Sequence, residues 1–134
     1  MNSVKIEIPS EPAAKLTVEK ALLEALQKHS YAEKDIFAVR LATEEAVVNA
    51  IRHGNKLDSQ KKVVVNFSVT DGRVTVVVCD QGEGFDPAGV PDPTDPRFLE
   101  APSGRGLMLM RAYMDEVIFN EEGNEVTMIK TRSK

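Results

Sequence analysis

One cysteine, Cys79, and two histidines, His29 and His53, are all that 134 residues offer in thiol and imidazole. A single thiol cannot close an internal disulfide, and Cys79 lies in a valine-rich run where a small core residue is the ordinary reading. Two histidines and one cysteine are too few for a structural zinc site. No run approaches the ~20 apolar residues that a membrane-spanning helix needs. The first nine residues lack the apolar centre of a secretion signal. There is no basic excess either: 17 Lys and Arg stand against 21 Asp and Glu, a net charge of −4. That argues against a general nucleic-acid binder, though a local basic pocket remains compatible with it. Two catalytic signatures are missing as well. Without Gly-x-x-x-x-Gly-Lys-Ser/Thr the chain is not a P-loop protein. Without His-Arg-Asp and Asp-Phe-Gly it is not an ordinary protein kinase. The expectation is a cytoplasmic protein with neither nucleic acid nor membrane as a direct partner.

What is present is the composition of a folded domain, 42% hydrophobic and 28% charged. The length suits one domain spanning residues 1–134, large enough to bury roughly two-thirds of its unfolded surface. Val4-Lys5-Ile6-Glu7-Ile8 alternates as a half-exposed strand does and stops at Pro9. Ser10 is the expected N-cap of a first helix, whose buried stripe is Ala14, Val18, Ala21, Leu22, Ala25 and Leu26. Ser30, with Glu33 three residues on, has the pattern of a capping box for a second helix. Gly54 is expected to end that helix in the left-handed conformation. Val63, Val65, Phe67 and Val69 then alternate with Val64, Asn66, Ser68 and Thr70. Asp71-Gly72 suits a two-residue hairpin turn, and Val74 to Cys79 returns as a strand apolar on both faces, expected to be central and covered by helices. Residues 85–103 hold five of the seven prolines. They are long for a connection inside a compact domain, which suits a lid, a partner-binding segment or a simply disordered stretch. Leu107, Met110 and Met114 recur at helical spacing, and a last strand pair flanks a turn at Glu121–Asn124. The hairpins favour an α+β fold, a mostly antiparallel sheet of about five strands with helices on one face.

Three constellations carry chemistry. Glu45, Asn49 and His53 lie four residues apart, so they stack along one line of the second helix. An acceptor of protons beside an oxygen donor for a cation is one use of that line, and a solvated helix face is the other. Asp80-Gln-Gly82-Glu-Gly84 follows a buried strand. Its glycines allow a flat or phosphorylated ligand to approach the backbone, and its aspartate can accept a hydrogen bond from an exocyclic amine. A tight turn uses the same residues. Ser103-Gly104-Arg105-Gly106 opens a helix, where free N–H groups suit phosphate oxygens and Arg105 can add charge.

In this order the three stretches resemble the N-box and the two glycine boxes of the GHKL ATPase superfamily, which includes histidine kinases, gyrase, Hsp90 and MutL. The run Ala42-Thr-Glu-Glu45-Ala-Val-Val-Asn49-Ala-Ile-Arg-His53-Gly54 is most similar to the anti-sigma factor serine/threonine kinases of that superfamily. The resemblance covers nearly the whole chain and implies the Bergerat fold, a two-layer α/β sandwich. It implies ATP and Mg²⁺ as cofactors, with Asn49 binding the metal and Glu45 as general base. Asp80 would take the adenine amino group in a pocket shaped by Gly82 and Gly84, and Thr127 would help to hold the base. Gly104, Arg105, Gly106 and Leu107 would form the phosphate loop beneath the lid, with His53 near the phosphates. The implied partners are a sigma factor, an antagonist protein of the STAS type phosphorylated on serine, and a second copy of the chain. A nucleotide-dependent binding module without catalysis and a detached histidine-kinase catalytic domain are the alternatives. Glu44, about 100° from Glu45 around the helix, is given no role.

Overall fold

A computed structural model of the chain describes residues 3–58, 60–82 and 104–133, with the backbone alone for residues 104 and 105. The stretch 85–103, Gly84 and the Arg105 side chain therefore lie outside the described residues. The order is β1 (Ser3–Pro9), α1 (Lys15–Lys28), α2 (Glu33–Asn49), β2 (Lys62–Val69), β3 (Arg73–Cys79), α3 (Gly104–Tyr113), β4 (Glu116–Phe119) and β5 (Glu125–Thr131). These are the elements expected from the periodicity, in the expected order. The five strands form one sheet in the order β1-β2-β3-β5-β4, and every pairing is antiparallel.

Register decides which residues face the helices. Val65, Val78, Val126 and Phe119 form one row across the sheet. Phe67, Val76, Met128 and Val117 form the next. These rows pack against Val18, Leu22 and Leu26 of α1, Val39, Ala42, Ala46 and Val47 of α2, and Met110 of α3. At about 25 cal/mol per Å² this apolar burial is the main term stabilising the fold. β3 is central, as its composition suggested, but among the described residues helices cover only one of its faces. Val74, Val76 and Val78 are buried, while Thr75, Val77 and Cys79 are half-buried on the other side. A run apolar on both faces does not imply two covering layers.

Several end signals act differently from the local expectation. Ser10 caps nothing: α1 follows a short 3-10 turn at Pro12–Ala14, with Ala14 at its N-cap. The Ser10 side chain instead donates to the Lys61 carbonyl at 2.8 Å and is 2% exposed. Ser30 does not cap α2 either, whose N-cap is Ala32 with no side-chain bond. Ser30 takes φ 56° and ends α1. Its N–H donates to Gln27 O at 3.0 Å and that of Tyr31 to Leu26 O at 3.1 Å, the paired bonds of a Schellman motif. Buried Tyr31 and Leu26 supply the apolar contact that accompanies it. The hairpin turn forms at Asp71-Gly72, but Gly72 has no positive φ. Thr70 Oγ1 secures it by accepting from the N–H groups of Gly72 and Arg73.

Gly54 also differs. It is not left-handed, and the helix widens over Ala50–Gly54 into a π turn, with Asn55 N donating to Ala50 O at 2.8 Å. Positive φ falls instead on Lys56 and Leu57, at 52° and 60°. The reason for a glycine at 54 lies in what packs against it.

Candidate functional site

α2 supplies the wall of the site. Ala46, Asn49, Ala50 and His53 line a cavity of about 180 Å³, with Val78 and Asp80 from the end of β3. Leu107 and Met110 of α3, Phe119 of β4, and Asn124 and Val126 close it from the other side. The small side chains of Ala46 and Ala50 leave the space, and the ends of β3, β4 and β5 meet there because β5 inserts between β3 and β4.

Three glycines make the close approaches. A Cβ on Gly54 would overlap the carboxylate of Asp80, and one on Gly82 would overlap the carbonyl of Gly54. A Cβ on Gly106 would lie 2.5 Å from Asn49 Nδ2 and 3.3 Å from its Cγ and Oδ1. The three sequence constellations are thus joined where side chains are missing: the end of α2 to the Asp80 turn, and the start of α3 to Asn49. The glycines supply proximity rather than positive φ.

Asp80 is held on several sides. Its N–H donates to Asn124 O at 2.9 Å, and its Oδ1 accepts from Gly82 N at 2.8 Å. Partial burial pushes its carboxyl above the ordinary range, against the opposing pull of the Gly82 N–H and Lys61. The turn carrying Asn124 is tied by Asn120. Asn120 Oδ1 accepts from Asn124 N and Glu125 N at 3.1 and 3.2 Å, and Gly123 takes φ 74°. His53 stands at the mouth of the cavity, and desolvation with the neighbouring Arg52 lowers its pKa from 6.5.

The two glutamates of α2 are separated as helical phase implied. Lys15 Nζ donates to Glu44 Oε1 at 2.6 Å, tying α1 to α2. Glu45, half-buried one turn before Asn49, makes no hydrogen bond or ion pair among the described residues. It does not line the cavity and stands beside it.

Thr127 is corrected by the register. It pairs with Val77 and Ile118, in the row that faces away from the helices, whereas Val78, Val126 and Phe119 form the row that lines the cavity. A contact between Thr127 and a ligand there would have to cross the sheet. Alternation on a short strand shows two faces without saying which one is inward, so the sequence held no signal that Val126 was the residue to choose. Asn124 and Phe119 were missed because only pairing across the sheet, β3 with β5 for Asn124 and β4 with β5 for Phe119, brings them to the cavity.

Among the described residues no three His, Cys, Asp or Glu side chains gather to hold a metal. Asn49 offers one carboxamide oxygen, a hard donor that suits a cation sharing oxygens with phosphate and water. Phosphate suits the adjacent start of α3, whose first N–H groups have no partner within the helix and where Gly106 admits close approach. No described helix is long and apolar enough to cross a membrane.

Comparison with known proteins agrees with this geometry. A family model of the histidine kinase-like ATPase domain matches residues 8–130. The serine-protein kinase RsbW of Bacillus velezensis is 31% identical over 134 residues, covering 95% of this chain and 84% of the relative. That of Bacillus licheniformis is 32% identical, with the same coverage. A crystal structure of the RsbU and RsbW domains of a Mycobacterium tuberculosis protein superposes with a TM-score of 0.67 at 24% identity, over 98% of this chain and 32% of that one. With the site built at the end of α2 and the match running through nearly every element, the chain belongs to the histidine kinase-like ATPase family, in the branch of the RsbW serine-protein kinases.

Proposed function

We propose that the chain is an ATP-dependent anti-sigma factor kinase, which binds a sigma factor and phosphorylates an antagonist protein on serine. The observation that carries this reading is the convergence of Asn49, Asp80 and the start of α3 on one cavity, with Glu45, which has no partner among the described residues, one helical turn away. Asp80 accepts the hydrogen bond of the adenine amino group, in a pocket walled by Val78, Val126 and Phe119. Gly82 shapes that pocket, and Gly84 belongs to the same stretch. The free N–H groups at Gly104 to Leu107 receive phosphate oxygens, Arg105 adds charge, and His53 stands at the mouth.

Asn49 holds Mg²⁺ through its side-chain oxygen, and when bound the ion neutralises charge on the phosphates. Glu45 takes the proton of the serine hydroxyl as its oxygen bonds to the γ-phosphorus and the bond to ADP breaks. Phosphoryl transfer asks mainly for positioning and charge stabilisation, so one base and one metal ligand on a rigid helix are a sufficient set. The protein switches between the sigma factor and the antagonist, its phosphorylation substrate, and works as a homodimer in the cytoplasm with a STAS-type antagonist. These partner assignments follow the family.

Incubation with labelled Mg-ATP and candidate antagonist domains tests the reading. Acid-stable phosphoserine is expected, lost in Glu45→Ala by about 10²–10⁴-fold with nucleotide binding retained, while Asn49→Ala loses nucleotide affinity. Acid-labile phosphate on the protein would point to a histidine kinase. Absence of nucleotide binding by the wild type would end the assignment.

A further inference from the structure

We infer that Asn55 is a positioning residue for the base-reading end of the site, acting on Asp80 through the backbone of Gln81. The inference rests on the proposed role of Asp80 as acceptor of the adenine amino group.

Asn55 directly follows the π turn and is 0% exposed. Its carboxamide is engaged at both ends. Nδ2 donates to Ser10 Oγ at 2.9 Å and to Lys62 O at 2.9 Å, and Oδ1 accepts from Gln81 N at 2.8 Å. Ser10 in turn donates to Lys61 O at 2.8 Å. From the opposite direction Lys62 N donates to Gln81 Oε1 at 2.6 Å. Gln81 is therefore fastened by its main chain to the end of α2 and by its side chain to the start of β2. Asp80 sits between this anchor and the Asn124 carbonyl.

The residue type follows from the demand. The site needs two donations toward oxygen and one acceptance from an N–H, inside the protein and within reach of one side chain. A carboxamide supplies both functions, a carboxylate only acceptance, and a hydroxyl is too short to span the three partners. Buried and fully bonded, it does not rotate without leaving a polar group unsatisfied. Asn55 does not line the cavity, so it touches no ligand there. Its effect passes to Asp80, whose carboxylate already fits against Gly54 with no room for a Cβ.

The expected consequence is selectivity. Adenine presents an amino donor where guanine presents an oxygen acceptor, so a carboxylate held in place accepts the first and repels the second. An Asp80 turn released from Asn55 reads this difference less well.

The test measures dissociation constants for Mg-ATP and Mg-GTP, melting temperature, and amide exchange at Gln81. Asn55→Ala is expected to raise the ATP constant about tenfold or more, the size of a lost buried hydrogen bond, and to move the GTP constant much less. Exchange at Gln81 should quicken with it. Ser10→Ala removes a partner on the far side of the same network, and is expected to lower the melting temperature while leaving the ATP-to-GTP ratio unchanged. Should Asn55→Ala not fold, Gln81→Pro deletes the N–H that Asn55 receives and must narrow the same ratio. A folded Asn55→Ala protein with the wild-type ratio overturns the inference alone, as does a Ser10→Ala protein that narrows it equally. A wild type that binds neither nucleotide overturns the site reading and this inference together.

Discussion

Asp80 is the residue whose environment is most directly measurable. Burial raises its pKa above the ordinary 3.8. A carboxyl that is raised in the native state binds its proton more tightly there than in the unfolded chain. Its contribution to stability is therefore fully present below 3.8 and is lost as pH rises through the native value. In the proposed role of Asp80 nucleotide binding runs the other way, because an adenine amino group needs an ionised acceptor. Affinity for Mg-ATP is expected to fall on acidification with a midpoint above 3.8, and Asp80→Asn should remove that titration along with most of the affinity. Calorimetric titration at a series of pH values on both proteins checks it. Glu44 is occupied by Lys15, which leaves Glu45 as the carboxylate of the pair with no partner among the described residues, as its proposed role requires.

At the scale of elements, what matters is where α2, β3 and α3 touch. The three glycines at the joints should not behave alike when given a methyl group. At Gly54 and Gly106 the obstacle is a side chain, Asp80 or Asn49, which can turn aside only by giving up its own contacts, for Asp80 the bond from Gly82 N. Gly54→Ala and Gly106→Ala are accordingly expected to keep most of their stability and to lose nucleotide affinity, because the displaced group is the one proposed to bind. At Gly82 the obstacle is the Gly54 carbonyl, which is main chain. Gly82→Ala should lower stability by about 1–3 kcal/mol, the usual cost of overpacking. Melting curves and binding isotherms on the three variants separate the two outcomes. The sheet register makes its own prediction. Thr127→Val, on the face away from the cavity, should leave Mg-ATP affinity within about twofold. Val126→Ala, on the cavity wall, should weaken it. A loss at Thr127 equal to that at Val126 would contradict the pairing of β5 with β3 and β4.

Across the whole molecule, the end opposite the site is closed by the last residues of the chain. Arg132 donates from Nη1 to His29 O and Asp71 O at 3.0 and 3.1 Å, and from Nη2 to Ser30 O at 2.6 Å. Its guanidinium lies 4.6 Å from the centre of the Tyr31 ring, which adds a cation–π contact. Asp35, 1% exposed, accepts from Ser133 N at 2.9 Å and from Ser133 Oγ at 2.5 Å. Burial pushes the Asp35 carboxyl up, but the two Ser133 bonds together with Lys130 and Lys34 outweigh it and leave the pKa below 3.8. A lowered acid stabilises the fold above 3.8, and that contribution is lost as pH falls through the native value. Asp35→Ala should cost about 2 kcal/mol at neutral pH, the scale of a hydrogen bond to a charged group. The gap from wild type should close only below pH 3.8, which thermal melts between about pH 2 and 7 would show. This latch joins the α1–α2 turn, the β2–β3 hairpin and the C-terminal strand, so the fold is fastened at one end and carries its cavity at the other.

The sequence by itself determined the kinds of element, their order, the antiparallel hairpins and the three stretches that meet at the cavity. Periodicity, turn chemistry and motif order are properties of neighbouring residues, so they are legible without contacts. It also separated Glu45 from Glu44, since helical phase is local. Tertiary structure alone decided that Gly54 serves Asp80 rather than a helix end, and that Ser10 joins a buried network instead of capping α1. Only the pairing of β5 showed that Val126, not Thr127, faces the site. Asn55 carried no signal of its own, because its three partners are distant in sequence or belong to the backbone. Steric room at a glycine, the inward face of a strand and the satisfaction of a buried amide all depend on groups that only folding brings together.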